Sequence, residues 1–140
     1  MDMKKTVIAT VAGYVLQMGG SYLLHEIILK SSYMDTSALW RSESDMGHRF
    51  WIMLVAQFIF VLGAVLVYQR GVEKKGAVGQ GIRYGILLAM VSIIPGNLIN
   101  YVTIPVPHTL ALHWVIGEGI QCLLLGILIA LICQPKDSAA

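Results

Sequence analysis

Residues 112–122, LHWVIGEGIQC, decide what kind of fold this sequence predicts. They lie near the start of an apolar run that continues to Cys133, yet they contain a histidine, a glutamate and a glutamine. A charged carboxylate near the middle of a membrane helix costs about 2.5–3.5 kcal/mol. Such a residue therefore usually faces the interior of a bundle, where it finds a partner or serves a function. Glu118 thus predicts a membrane-embedded bundle with a polar interior.

The whole chain has the composition of a membrane protein. Of its 140 residues, 56% are hydrophobic and 13% are charged. Four apolar runs each approach the ~20 residues that a helix needs to cross the hydrocarbon. They cover residues 6–29, 50–68, 80–101 and 109–133. We therefore predict a single transmembrane domain over residues 1–140, an all-α four-helix bundle with an outer loop at 30–49 and a cytoplasmic loop at 69–79.

The positions of lysine and arginine predict the orientation of the bundle. Cytoplasmic loops carry an excess of these residues. Three of them lie in the outer loop, and the other seven lie at the predicted inner ends: Lys4, Lys5, Arg70, Lys74, Lys75, Arg83 and Lys136. Both termini are therefore predicted to be cytoplasmic. The net charge of +2 reflects this topology and gives no argument for nucleic-acid binding. The predicted partner is the lipid bilayer.

The outer loop allows two predictions. Ser42 followed by Asp45 is a signal for the start of a helix. A short interfacial helix over residues 36–46, anchored at the headgroups by Trp40, fits the loop at least as well. Aromatic residues favour the membrane boundary, and we expect five of them to form a belt at the outer boundary: Tyr33, Trp40, Trp51, Tyr101 and Trp114.

Spacing and small residues suggest how the helices are related. Trp51 and Gly63 are twelve residues apart, as are Trp114 and Gly126. This would fit two similar hairpins, although the first and third runs share little beyond hydrophobicity. Small residues let helix backbones approach closely, either within the bundle or in a homo-oligomer. The candidates are Gly79, Gly81, Gly85, Gly117, Gly119 and Gly126.

Polar residues recur inside all four apolar runs. Gln17, Ser21 and His25 are spaced four and four, so they lie on one face of a helix. His113 and Glu118 are five apart, about 140° around the axis at 3.6 residues per turn, so a water, a ligand or another helix would have to connect them. We predict a pocket open toward the outer side, built from Gln17, Ser21, His25, Glu26, Gln57, Asn97, Asn100, His113, Glu118 and Gln121.

A proline in the third run adds to this prediction. Pro95 removes one backbone hydrogen bond, and Gly96 loosens the next turn. We expect a kink just before Asn97 that frees carbonyl groups toward the polar layer. Broken helices of this kind accompany binding sites, although proline kinks are also ordinary in membrane helices.

Three functional interpretations compete with a structural one. In the first, which we favour, the pocket binds or conducts a small polar ligand, ion or proton, as a transport protein would, with a His–Glu pair as a relay. In the second, His25 and His113 hold haem or a metal ion, as a cofactor-holding or accessory subunit of a larger membrane complex. In the third, a His–Glu pair is catalytic.

The structural interpretation is that the polar residues only join the helices, at about 0.6–2 kcal/mol for each hydrogen bond. The sequence has no HxxH, HExxH or CxxC spacing, so a metal site would need ligands from separate helices. It also has no nucleophile elbow and no phosphate-cradling loop. We therefore do not predict an enzyme.

Two longer segments carry a resemblance. Residues 23–46, LLHEIILKSSYMDTSALWRSESDM, and residues 101–132, YVTIPVPHTLALHWVIGEGIQCLLLGILIALI, resemble a group of small bacterial four-helix membrane proteins without assigned function. The resemblance rests on His25, Tyr33, the triplet Leu39-Trp40-Arg41, the turn with Pro105 and Pro107, and Trp114. It implies a bacterial inner membrane location and brings no activity with it.

Overall fold

The computed structural model describes residues 2–73 and 76–135, which are helical and contain no strand. Four helices are long and apolar enough to cross a membrane, and we number them first to fourth in chain order: Met3–Ile28, Glu43–Arg70, Ala77–Thr103 and His108–Cys133. The prediction of an all-α, four-helix membrane bundle is confirmed. Lys74, Lys75 and Lys136, which contributed to the predicted orientation, lie outside the described residues.

Capping residues explain where the first two spanning helices begin. The Asp2 side chain accepts a hydrogen bond from the Lys5 backbone N–H at 3.2 Å. The Ser42 hydroxyl accepts one from the Asp45 N–H, also at 3.2 Å, so the second helix begins at Glu43. Aspartate and serine are preferred at this position because their oxygens pair with N–H groups that the first turn leaves unsatisfied. The second helix therefore starts before the apolar run that predicted it.

The structure of the outer loop distinguishes between the two predictions made for it, a helix start at Ser42 and an interfacial helix over residues 36–46. It contains a short helix, Lys30–Asp35, and a 3₁₀ turn, Ser37–Leu39, and the backbone is extended at Trp40. The predicted interfacial helix over residues 36–46 is wrong, and the helix start at Ser42 is confirmed. The reason is local hydrogen bonding: the Thr36 hydroxyl donates to the Ser32 carbonyl at 2.7 Å. Threonine and serine side chains that bond to nearby backbone groups favour the ends of helices.

Wide π-helical turns occur in the first and third helices, at Tyr22–Ile28 and Ala89–Ile93. At the end of the first of these turns, the Leu29 N–H donates to the carbonyl of Leu24, five residues back, at 2.9 Å. The other turn ends two residues before Pro95, which has no N–H and whose ring clashes with the preceding turn. The turn at Ala89–Ile93 is wider than an ordinary α-helical turn, and the third helix continues from it through Pro95. Turns of this kind are frequent at functional sites.

The fourth helix lies at the centre of the bundle and contacts the other three. Its closest contact is with the third helix, through three buried glycines. A Cβ atom on Gly126 would lie 2.5 Å from the carbonyl oxygen of Gly81 and 2.7 Å from the Cα of Gly85. The two backbones therefore touch, as small residues allow in membrane helices. These glycines serve packing within the bundle, which is one of the two uses predicted for them.

Packing is tight in the inner half and loose in the outer half. Six side chains from the first, second and fourth helices are 0% exposed and form a cluster that we call the inner apolar cluster: Ala9, Val61, Val65, Leu125, Ile129 and Ala130. Between residues 43 and 60, by contrast, the second helix has no buried residue. The loosely packed half therefore leaves room between the helices.

Candidate functional site

A cavity of about 280 Å³ occupies this loosely packed half, and we call it the central pocket. All four helices contribute to its wall. Apolar side chains line it at Met53, Ala56, Phe60, Ile93 and Cys122. Polar side chains line it at Gln17, Ser21, His25, Gln57, Glu118 and Gln121. These six polar residues all belong to the pocket predicted from the sequence, and the apolar ones do not.

Glu118 is held between two other helices. Its Oε1 lies 3.5 Å from Nε2 of His25 on the first helix, and its Oε2 accepts a hydrogen bond of 2.9 Å from the Asn97 side chain on the third. Asn97 is buried and stands behind Glu118, outside the pocket wall. The carboxylate is thus oriented by an amide on one side and faces an imidazole on the other.

Tyr33, in the outer loop, fixes the ring of His25. The Trp114 Nε1–H donates to the Tyr33 hydroxyl oxygen at 2.6 Å, and this hydroxyl lies 2.7 Å from Nδ1 of His25. Because the oxygen already accepts a hydrogen bond from Trp114, we assign the hydroxyl proton of Tyr33 to the bond with Nδ1. His25 then carries its own proton on Nε2, which is the nitrogen that faces Glu118.

The aromatic residues at the outer end form a cluster. The ring centroids of Tyr33 and Trp40 are 5.6 Å apart, and those of Trp40 and Trp114 are 6.1 Å apart. Trp114 is only 6% exposed. These three rings contact one another because the outer loop folds back onto the fourth helix, and their place in a headgroup belt stays a prediction. Trp51 is 62% exposed, as a belt residue should be.

Burial raises the pKa of Tyr33 from 10.0 to about 12, the hydrogen bond from Trp114 opposes this rise, and the negative charges of Glu118 and Glu26 add to it. The folded protein therefore favours the neutral phenol. The stability that this provides is fully present below pH 10.0 and is lost as the pH rises through about 12. In a titration of phenolate absorbance, Tyr33→Phe should remove a component that appears near pH 12. An unchanged curve above pH 11 would contradict the burial of this hydroxyl.

A second cavity, of about 440 Å³, lies under the outer loop, and we call it the outer vestibule. Its lining includes Glu26, Lys30, Trp40 and Arg41. His25 lines both this vestibule and the central pocket. Its imidazole therefore forms part of the wall between the two cavities.

Four residues of the predicted pocket do not line it: Asn97, which bonds to Glu118 from behind, and Glu26, Asn100 and His113. Glu26 follows His25 by one residue, about 100° around a helix, and lines the outer vestibule instead. Asn100 is exposed, and its carbonyl accepts a hydrogen bond of 3.3 Å from the Thr103 hydroxyl. His113 is exposed, and its Nδ1 lies 2.7 Å from the carbonyl oxygen of Thr109 in the same helix.

The position of His113 affects the prediction that His25 and His113 together hold haem or a metal ion. Because His113 bonds within its own helix, the central pocket does not bring it together with His25. Over residues 2–73 and 76–135, no group of three or more His, Cys, Asp or Glu side chains is arranged to hold a metal ion.

Gln121 marks the inner end of the pocket. It reaches the first helix because residue 20 is glycine, and a Cβ there would lie 2.8 Å from its Oε1. This oxygen accepts a bond of 3.4 Å from the Ser21 hydroxyl, while the amide nitrogen Nε2 is buried without a partner. A buried donor left unsatisfied costs about 1–3 kcal/mol. An acceptor group on a pocket ligand would remove this cost.

Sequence reasoning missed the residues that orient the histidine. Tyr33 and Trp114 were assigned to the membrane boundary by residue type alone. A signal was present for Trp114, because it lies four residues before Glu118 and so shares its helix face. The loop residue Tyr33 had no comparable periodic signal.

Comparisons with protein-family models, curated proteins and solved structures found no match.

Proposed function

We propose that the protein binds a small polar ligand, a small cation or a proton in the central pocket and exchanges it with the outer side through His25. One observation carries this proposal: His25 lines both cavities while its ring nitrogens face Tyr33 and Glu118. A carboxylate among apolar side chains attracts positive charge more strongly than one in water, because the surroundings screen the charge less.

The inner half of the bundle favours binding over free passage. The six side chains of the inner apolar cluster are all 0% exposed and separate the central pocket from the inner end. A solute moving inward would have to displace them. Transport, which the sequence suggested, would therefore require a second conformation in which this cluster opens.

The hydrogen bonds also suit a proton as the exchanged species. His25 can pass the proton on Nε2 to Glu118 while its Nδ1 takes the hydroxyl proton of Tyr33. Tyr33, which lines the outer vestibule, then regains a proton from that cavity. His25 and Tyr33 each give up one proton and receive one, and Glu118 gains the proton that entered from the outer vestibule. General acid–base groups transfer protons over about 2.6–3.2 Å. The contact of His25 with Tyr33, at 2.7 Å, lies in this range, and the contact with Glu118, at 3.5 Å, would have to shorten for the transfer.

Several sequence predictions complete the proposal. We place both termini in the cytoplasm because of the distribution of Lys and Arg. We place the protein in a bacterial inner membrane because of the resemblance carried by residues 23–46 and 101–132. The homo-oligomer and the larger membrane complex stay predictions.

Glu118→Gln is expected to weaken the response of the purified protein to cations. The thermal midpoint is measured with ammonium, guanidinium and tetramethylammonium chloride, each compared with sodium chloride at equal ionic strength. A ligand that binds only the folded state raises stability by RT ln(1 + [L]/Kd). We expect at least one cation to stabilise the wild type and to require about tenfold more concentration in the variant, a loss of about 1.4 kcal/mol of binding.

Glu26→Gln is the matched control, because Glu26 lies next to His25 but lines the outer vestibule. It should respond to cations as the wild type does. If no cation acts, an infrared band of a protonated carboxyl group that is lost in Glu118→Gln would support the proton. If the wild type shows no cation response and no such band, the proposal is contradicted.

A further inference from the structure

The central pocket has a polar wall and an apolar wall. Apart from Gln57, its polar side chains lie on the first and fourth helices. The second and third helices contribute four apolar side chains to it: Met53, Ala56, Phe60 and Ile93. A ligand that fills the pocket therefore meets the Glu118 carboxylate on one side and hydrocarbon on the other.

The apolar wall lies beside a gap between the second and third helices. At their inner ends these two helices are joined, because the Tyr84 hydroxyl donates to the Ala64 carbonyl and the rings of Tyr68 and Tyr84 are 5.1 Å apart. In the described part of the chain, no hydrogen bond, ion pair or ring contact joins residues 43–60 to the third helix. Met53 and Ala56 line the pocket and are also exposed. The apolar wall thus reaches the outside of the bundle at this gap.

The first helix holds the outer half of the second helix from the other side. The Tyr14 hydroxyl donates to the Leu54 carbonyl at 3.3 Å. The rings of Tyr14 and Phe58 also meet edge to face, with their centroids 6.1 Å apart. These contacts keep the second helix on the first helix and away from the third, so the gap is part of the folded bundle.

The volume of the central pocket is larger than a bare ion needs. A water molecule takes up about 30 Å³ in the liquid, and an ammonium ion is of similar size. The pocket, at about 280 Å³, would remain mostly unfilled around such an ion. Side chains that face an unfilled space lose dispersion contacts. A ligand with a hydrocarbon part would restore these contacts along the apolar wall.

We infer that the ligand of the central pocket is a primary amine that carries a short alkyl group. This inference rests on the proposed function, because it assigns the ammonium group to the Glu118 carboxylate. The alkyl group would lie against Met53, Ala56 and Phe60 and point into the gap between the second and third helices. Both parts of the ligand contribute to binding, since the carboxylate attracts the charge and the alkyl group leaves water.

A series of alkylammonium chlorides tests this inference on the purified full chain. The probes are methyl-, ethyl-, propyl- and butylammonium chloride, each compared with sodium chloride at equal ionic strength. The measured quantity is the concentration that gives half of the maximal rise in the thermal midpoint. We expect this concentration to fall about twofold to fourfold for each added methylene group, where fourfold corresponds to complete burial.

Ala56→Phe should abolish this dependence on chain length, because the added ring occupies the apolar wall. It should leave the response to methylammonium within about twofold of the wild type, since Glu118 is unchanged and roughly 1.4 kcal/mol would be needed for a tenfold loss. Ala56→Leu, with a smaller side chain, is the second variant and should weaken the dependence. Val55→Phe is the matched control, because Val55 is 47% exposed and does not line the pocket. It should show the wild-type dependence.

Three results would overturn the inference. The first is a response to methylammonium that does not strengthen with chain length, which would leave the proposed function standing with a different ligand. The second is the same dependence on chain length in the wild type and in both Ala56 variants, because the alkyl group would then lie elsewhere. The third is no response to any of the four amines, in which case the proposed function depends on the other cations and the infrared band.

Discussion

Gly126→Ala should destabilise the bundle by about 1–3 kcal/mol, the usual cost of adding a methyl group to a filled interior. The added carbon would meet the carbonyl oxygen of Gly81 at 2.5 Å and the backbone nitrogen of Gly85 at 2.6 Å. Both are backbone atoms, so no side chain can rotate away. The third helix would have to separate from the fourth.

The free energy of unfolding in detergent measures this effect, and Gly119→Ala provides the control. Gly119 is in the same helix, but nothing lies within 4 Å of the position that its Cβ would take. Alanine is a better helix former than glycine by roughly 0.5–1 kcal/mol, so this variant should be slightly more stable than the wild type. Changes of the same sign and size in both variants would contradict the backbone contact.

Trp114→Ala should cost about 3 kcal/mol, the lower part of the range for removing a buried aromatic residue. The indole packs with the rings of Tyr33 and Trp40 and with Leu110, which is 2% exposed. Its loss opens a cavity, and the Tyr33 hydroxyl loses the donor that fixes its direction. We therefore also expect a weaker cation response, because the His25 ring is no longer held.

Trp51→Ala is the matched control for this substitution. Trp51 lies at the same end of the bundle but is 62% exposed, and exposed substitutions usually change stability by less than about 0.5 kcal/mol. Unfolding free energies of the two variants, measured under the same conditions, should thus differ by more than 2 kcal/mol. Similar values would mean that the aromatic cluster does not hold the outer loop on the bundle.

The helices could be predicted because the membrane imposes a simple rule on sequence. A span needs about 20 apolar residues, and each of the four runs provides them. The start of the second helix could not be placed from hydropathy, since its first turns at Glu43 are polar. That boundary depends on the Ser42 cap, which gives a weaker signal than an apolar run.

The polar residues of the site could be predicted in part by helical periodicity. Gln17, Ser21 and His25 share a face in the sequence, and they line one cavity in the structure. Periodicity says nothing about a loop that folds back, so the contact of Tyr33 with His25 could not be foreseen. It also could not exclude His113, which turns to the carbonyl of Thr109 four residues earlier.

The wide turn at Tyr22–Ile28 makes the chemistry of the pocket depend on residue count as well as residue type. Each residue of an ordinary helix advances the chain by about 100° around the axis. Loss of one residue just before His25 would restore the ordinary turn and point the imidazole away from Glu118, even with every named side chain still present. When other sequences are aligned to this one, a single-residue gap in this segment would therefore indicate a different pocket.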